Sequence, residues 1–151
     1  MLFRSSTQLN VAGPALAALE GVHAMTDVTG FGLAGHALEM ARGAGLCAHL
    51  KMAQVPLLSQ VREWVSKGVM TGASARNWAA YGHEVEMAST CNAIDQALLS
   101  DPQTSGGLLV ACAPAALAQV LGTLHELGFE QASEIGSMQP RHSQGLALRV
   151  D

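Results

Sequence analysis

Charge is scarce in this chain. Asp, Glu, Lys and Arg make up 13% of its 151 residues, about half the usual ~25% of a globular domain. A disordered, highly charged polymer is therefore excluded. The net charge is −4, which is the wrong sign for a nucleic-acid surface, where a basic patch is the rule. Two Trp, one Tyr and three Phe are too few for base-stacking platforms. Three cysteines, Cys47, Cys91 and Cys112, stand far apart with no C-x-x-C. That count speaks against a disulfide framework and for a reducing compartment. No window approaches 18 uninterrupted apolar residues, so no membrane span is expected. The opening Met1-Leu2-Phe3-Arg4-Ser5 is too short and polar for a signal peptide. A cytoplasmic protein is expected.

Known catalytic signatures are missing too. There is no G-x-x-x-x-G-K-[ST] and no G-x-S-x-G. The histidines His23, His36, His49, His83, His125 and His142 are scattered, without zinc spacing or cysteine partners. The only lysines, Lys51 and Lys67, stand outside any glycine-rich loop. A self-sufficient phosphoryl-transfer enzyme needs such a lysine and several carboxylates for Mg²⁺.

What is present is an apolar share of 49%, enough for one domain over residues 1–151 with its own core. Sixteen glycines without a three-residue period exclude collagen. The spacing of Leu117, Val120, Leu121 and Leu124 predicts a helix over 114–127, with Pro114 in its first turn and Gly128 past its end. The continuous apolar run 107–112 predicts a strand covered on both faces. With a strand over 132–138 it makes a strand–helix–strand unit. Earlier, strands are expected over 22–25 and 46–52, and helices over 31–42, 55–66 and 92–99. Over 5–19 the spacing is helical, but Pro14 sits in the middle. Residues 72–82 read as an irregular loop with at most one helical turn. The class is α/β, with helices covering a mixed sheet.

The most informative stretch is Thr26-Asp27-Val28-Thr29-Gly30-Phe31-Gly32-Leu33-Ala34-Gly35-His36. An acidic residue leaves a strand, a glycine-rich turn follows, and a helix begins. A helix N-terminus presents unpaired N–H groups to phosphate. An aspartate there can ligate Mg²⁺, which usually takes one or two carboxylates besides phosphates and waters. The competing reading has Asp27 or Thr29 capping the helix. The G-x-G-x-x-G pattern carries little weight, because the following strand ends near Lys51 rather than at an acid. Asp101-Pro102-Gln103-Thr104-Ser105-Gly106-Gly107 reads either as an anion-facing loop or as a structural turn. Arg76-Asn77-Trp78 with Tyr81-Gly82-His83 reads either as a ligand or partner contact or as a loop pinned by Trp. His36 reads as a helix or interface residue.

Together, in this order and at these separations, the three stretches resemble the C-terminal half of selenophosphate synthetase (selenide, water dikinase). Leu9-Asn10 and Val55-Pro56-Leu57-Leu58 join the match, which spans nearly the whole chain. The resemblance implies a three-layer α/β/α domain of the aminoimidazole ribonucleotide synthetase superfamily. It implies a reaction in which selenide, ATP and water give selenophosphate, AMP and phosphate with Mg²⁺. Carried over by position, Asp27 matches a Mg²⁺ ligand, and Thr29, Gly30 and Gly32 shape the phosphate-facing turn. Arg76, Asn77 and Asp101 match the pattern without a role, and no catalytic residue is assigned.

The family's reactive Cys or selenocysteine, nearby lysine, glycine-rich segment and most metal carboxylates belong to an N-terminal half that is not in this sequence. The chain alone is therefore expected to be inactive. Its expected partners are that N-terminal half, ATP and selenide, with homodimerisation at full length. The alternatives are another ATP-dependent member of the superfamily and a non-catalytic interaction module with the same fold.

Overall fold

The computed structural model describes residues 7–141 and 145–151. His142 and the first two residues of the 5–19 stretch lie outside them, as does the opening Met1–Ser5 segment.

In chain order the elements are α1 (Gly13–Ala17), β1 (Val22–Asp27), α2 (Gly32–Ala44), β2 (Leu46–Leu50), α3 (Val61–Ser66), α4 (Gly72–Tyr81), β3 (Val85–Met87), α5 (Ala93–Ser100), β4 (Leu108–Cys112), α6 (Leu117–Glu126), β5 (Gly136–Pro140) and β6 (Leu148–Val150). The class is α/β, as expected. The strands divide into an antiparallel ribbon, β1–β4, and a four-stranded sheet of order β3-β6-β2-β5. That sheet is mixed: β6 runs parallel to β2 and β3, and β5 runs antiparallel to β2.

Helix α2 is the central support. Ala34, Leu38 and Ala41 recur on one face and are each 0% exposed. The small Ala34 and Ala41 let the helix lie close to β2 and β6, where Ala48, Leu50, Leu148 and Val150 complete the core with Leu38, Leu99 and Tyr81. The helix ends at Gly45, whose φ of +67° is the left-handed C-cap conformation that glycine adopts without strain. A second cluster joins Ala12 and Leu16 to Val120 and Leu124 of α6. The β1–β4 ribbon lies between the two clusters. Leu108, Val110 and Cys112 pack toward α1 and α6, and Leu109 packs toward the α2 core. This two-sided cover matches the continuous apolar run of β4.

Several expectations need correction. The helix expected over 55–66 starts only at Val61. Pro56 holds Val55 extended, at ψ 118°, and Gln60 has a φ of +66°, so the backbone between them cannot wind. The loop expected over 72–82 is a ten-residue helix capped by Thr71, whose hydroxyl accepts from the Ser74 N–H. Pro14 interrupts no helix, because α1 begins with Gly13 and places it in the first turn. The predicted strand–helix–strand unit is split: β4 lies in the ribbon, while β5 starts at Gly136 and joins the other sheet. Strands β3 and β6 had no sequence forecast.

Candidate functional site at the β1–α2 turn

The ribbon delivers Asp27 to the last position of β1, opposite Leu108. Its side chain is exposed and makes no ion pair with another described residue. The next residue, Val28, is buried and donates its N–H to Gly107 O at 3.0 Å. Two residues later the chain turns into α2. The N-cap position is Phe31, with no side-chain cap. Neither Asp27 nor Thr29 therefore serves as the helix cap, and the capping alternative fails.

The three motif stretches meet at this turn. Asn77 of α4 donates from Nδ2 to Gly30 O at 2.8 Å and to Ser100 O at 3.0 Å. Gln103 N–H donates to Thr29 O at 2.9 Å. Asn10 Nδ2 donates to Gly106 O at 2.9 Å. Tyr81 Oη donates to Phe31 O at 2.7 Å. These four side-chain or backbone donors fix the path of the turn from three sides. Burial pushes the Tyr81 phenol up to about 12, opposed by a hydrogen bond from the Gly35 backbone.

The glycines divide by task. Gly32 has a φ of +70°, and a Cβ there would lie 2.7 Å from Leu99 O. A Cβ at Gly35 would lie 2.5 Å from Phe31 Cβ and 3.1 Å from the Tyr81 ring. A Cβ at Gly106 would overlap Val28 O. These three are glycines for packing. Gly30 alone among them is exposed and would meet nothing within 4 Å. The G-x-G-x-x-G pattern is thus explained without a dinucleotide. The strands flanking α2 lie in different sheets, so α2 is not part of the parallel βαβ unit that a dinucleotide-binding G-x-G-x-x-G turn belongs to.

The other singled-out residues fall around the turn rather than in it. Asp101 Oδ1 accepts from the Thr71 hydroxyl at 2.7 Å, which ties it to the α4 cap. Arg76 is exposed on α4, and His83 lies 3.7 Å from Glu84 Oε1. Sequence reasoning did not assign Asn10, Asn77, Gln103 or Tyr81 to the turn. The only signal was their recurrence within the matched stretches. Among the described residues no group of three or more His, Cys, Asp or Glu side chains could hold a metal. A hard cation held by one carboxylate together with phosphates and waters still fits Asp27. A depression lies elsewhere, on the four-stranded sheet, lined by Cys47, His49, Glu86, Gln139 and Arg149 among others. Its charges are already used: Arg149 pairs with Glu86 at 2.7 Å and His49 with Asp151 at 3.4 Å. The β1–α2 turn, with an uncommitted carboxylate and an open glycine, is the better site.

Comparison with known proteins supports the α/β fold. The family model for "AIR synthase related protein, C-terminal domain" matches residues 5–149. The chain belongs to this family. Among relatives, a selenide, water dikinase of Burkholderia pseudomallei is 58% identical over 137 residues, which is 91% of this chain and 39% of that protein. One from Rhizobium meliloti is 47% identical over 133 residues, 88% of this chain and 38% of that protein. The chain thus spans about two-fifths of the length of these relatives. Among solved structures, E. coli HypE gives a TM-score of 0.64 at 20% identity, covering 93% of this chain and 34% of that one. Hydrogenase maturation protein HypE in complex with ATP gives 0.59 at 22%, covering 89% and 33%. These two likenesses are of fold. Among the described residues no helix is long and apolar enough to cross a membrane.

Proposed function

We propose that this chain acts as the C-terminal domain of a selenophosphate synthetase, converting selenide, ATP and water to selenophosphate, AMP and phosphate in the cytoplasm. The observation that carries the reading is the meeting of all three motif stretches at one turn, with Asp27 uncommitted beside it. The identity to selenide, water dikinases over 91% of the chain supports the substrate class. The likeness to a HypE structure bound to ATP is compatible with nucleotide use.

In this reading Asp27 is a ligand of Mg²⁺, whose charge offsets that of the phosphates during transfer. Gly30 lets a phosphate approach the backbone, and Thr29 and Gly32 shape the turn. The N–H groups at the start of α2 face the anion. Asn77, Gln103 and Tyr81 hold these groups in place before the ligand arrives. The remaining carboxylates, the nucleophile and the phosphate lysine come from an N-terminal half, and the complete protein is a homodimer. One domain of a shared site gives no turnover alone.

The test is a chimera. The matched C-terminal 39% of the Burkholderia pseudomallei relative is replaced by this chain, and AMP release is measured with and without selenide. Selenide-dependent AMP release is expected from the chimera and none from the isolated chain. ATP turnover indifferent to selenide would instead assign the chain to another ATP-dependent member of the superfamily. A folded chimera without nucleotide binding would favour the interaction module.

A further inference from the structure

Behind the turn, His36 sits one helical turn into α2 with 6% of its surface exposed. Its Nε2 lies 3.2 Å from Thr29 Oγ1. Its Nδ1 lies 2.9 Å from Glu39 Oε2 on the same helix. The carboxylate stands off the ring's N–H line, so this contact is electrostatic and not a hydrogen bond. The Phe31 ring, 5.8 Å away between centroids and tilted by 51°, packs beside the imidazole.

These contacts decide where the protons sit. A bare Nδ1 lone pair 2.9 Å from a carboxylate oxygen would set two electron-rich atoms against each other. A proton on Nδ1 turns that repulsion into attraction. A neutral imidazole has one donor and one acceptor nitrogen, so Nε2 is then the acceptor. Thr29 has one hydroxyl proton, and Nε2 takes it. Thr29 Oγ1 is left with lone pairs only for anything on its open side.

We propose that His36, biased by Glu39, is a positioning residue that fixes the Thr29 hydroxyl as an acceptor at the β1–α2 turn. The consequence is selectivity within the site. An acceptor-only hydroxyl welcomes the water shell of a divalent cation or an ammonium group. It repels an unprotonated phosphate oxygen. Phosphate at this turn is therefore left to the backbone N–H groups beside Gly30, and Thr29 faces the hydrated cation held by Asp27. This assignment rests on the functional reading above for what the ligands are. The proton arrangement itself is a property of the chain with no ligand bound.

The experiment is long-range proton–nitrogen NMR of the histidine rings in the isotope-labelled 151-residue chain near neutral pH, without ligand. The ring system that disappears in His36→Gln identifies His36. The expected result is a protonated Nδ1 and a bare Nε2 whose resonance carries the shift of an accepted hydrogen bond. Thr29→Ser keeps that resonance in place, and Thr29→Val moves it to the free-acceptor position. A protonated Nε2 would overturn the proposal, as would a ring protonated on both nitrogens, since Thr29 would then receive rather than give a proton. An Nε2 resonance unmoved by Thr29→Val would overturn it as well. All these signals are read without turnover, so failure here is distinct from failure of the chimera assay.

Discussion

Tyr81 is the single tyrosine of the chain, so its ionisation is readable directly. Its ring is 7% exposed, its hydroxyl donates to Phe31 O at 2.7 Å, and its edge meets Trp78 at a centroid distance of 6.4 Å. Burial disfavours phenolate and raises the folded value to about 12 from the ordinary 10.0. Tyrosinate absorbance of the folded chain is expected to rise with a midpoint near that higher value. The sign for stability follows from linkage. The folded state binds the proton more tightly, so the contribution is complete below pH 10.0 and is lost as pH rises toward 12. An ordinary midpoint, with the fold intact, would show that the hydroxyl is solvated rather than buried against Phe31.

At the scale of elements, two loops form the turn, and their glycines do opposite jobs. Gly106→Ala forces a methyl into Val28 O and breaks the contact between the loops. It is expected to cost on the order of 1–3 kcal/mol, as overpacking does. Gly30→Ala meets open space and is expected to leave stability within about 0.5 kcal/mol, while it lowers turnover of the chimera. Denaturant unfolding of the two variants beside the parent checks both. Equal destabilisation would erase the distinction between packing and phosphate-facing glycines.

The same elements show what was legible in sequence and what was not. Helices α2 and α6 could be read because an apolar stripe at helical spacing is the face they bury: Ala34, Leu38 and Ala41 in one, Val120 and Leu124 in the other. Helix α4 could not be read so. It buries Ser74 and Tyr81, and its Ser74 hydroxyl is satisfied by Ala97 O and Ser100, partners far off in sequence. Strand β6 is three residues long and exists because β2 and β3 flank it. At the site, Asp27 and Gly30 were visible as a type of turn. Asn10, Asn77 and Gln103 were invisible as its scaffold, because their hydrogen bonds span long stretches of chain.

For the whole molecule, Glu84 ties distant parts together. Its carboxylate accepts from Arg42 Nε at 3.2 Å and Nη2 at 2.5 Å, and Arg141 Nη2 stands 3.9 Å away. Its own carbonyl accepts from Ala147 N–H at 3.0 Å, next to β6. The Arg42 hydrogen bond, more than any other cause, holds the carboxyl below its ordinary 4.5, and Arg42 is raised in turn. A lowered carboxyl stabilises above its unfolded value and ceases to do so as pH falls through its folded one. The stability gap between the parent and Glu84→Gln is therefore expected to be constant at neutral pH and to close below pH 4.5. Unfolding curves at several pH values test this. A gap independent of pH would show that the Arg42–Glu84 ion pair does not stabilise the fold.

The role proposed for Asp27 is in chemistry and not in folding. It is exposed, lies outside both cores and caps no helix. The most direct measurement is selenide-dependent AMP release by the chimera carrying Asp27→Asn, with its unfolding midpoint taken alongside. In the proposed role as a metal ligand, Asp27 supplies several kcal/mol of charge stabilisation, and its loss predicts a fall of roughly a hundredfold or more at an unchanged midpoint. Full turnover by the variant would contradict the claim.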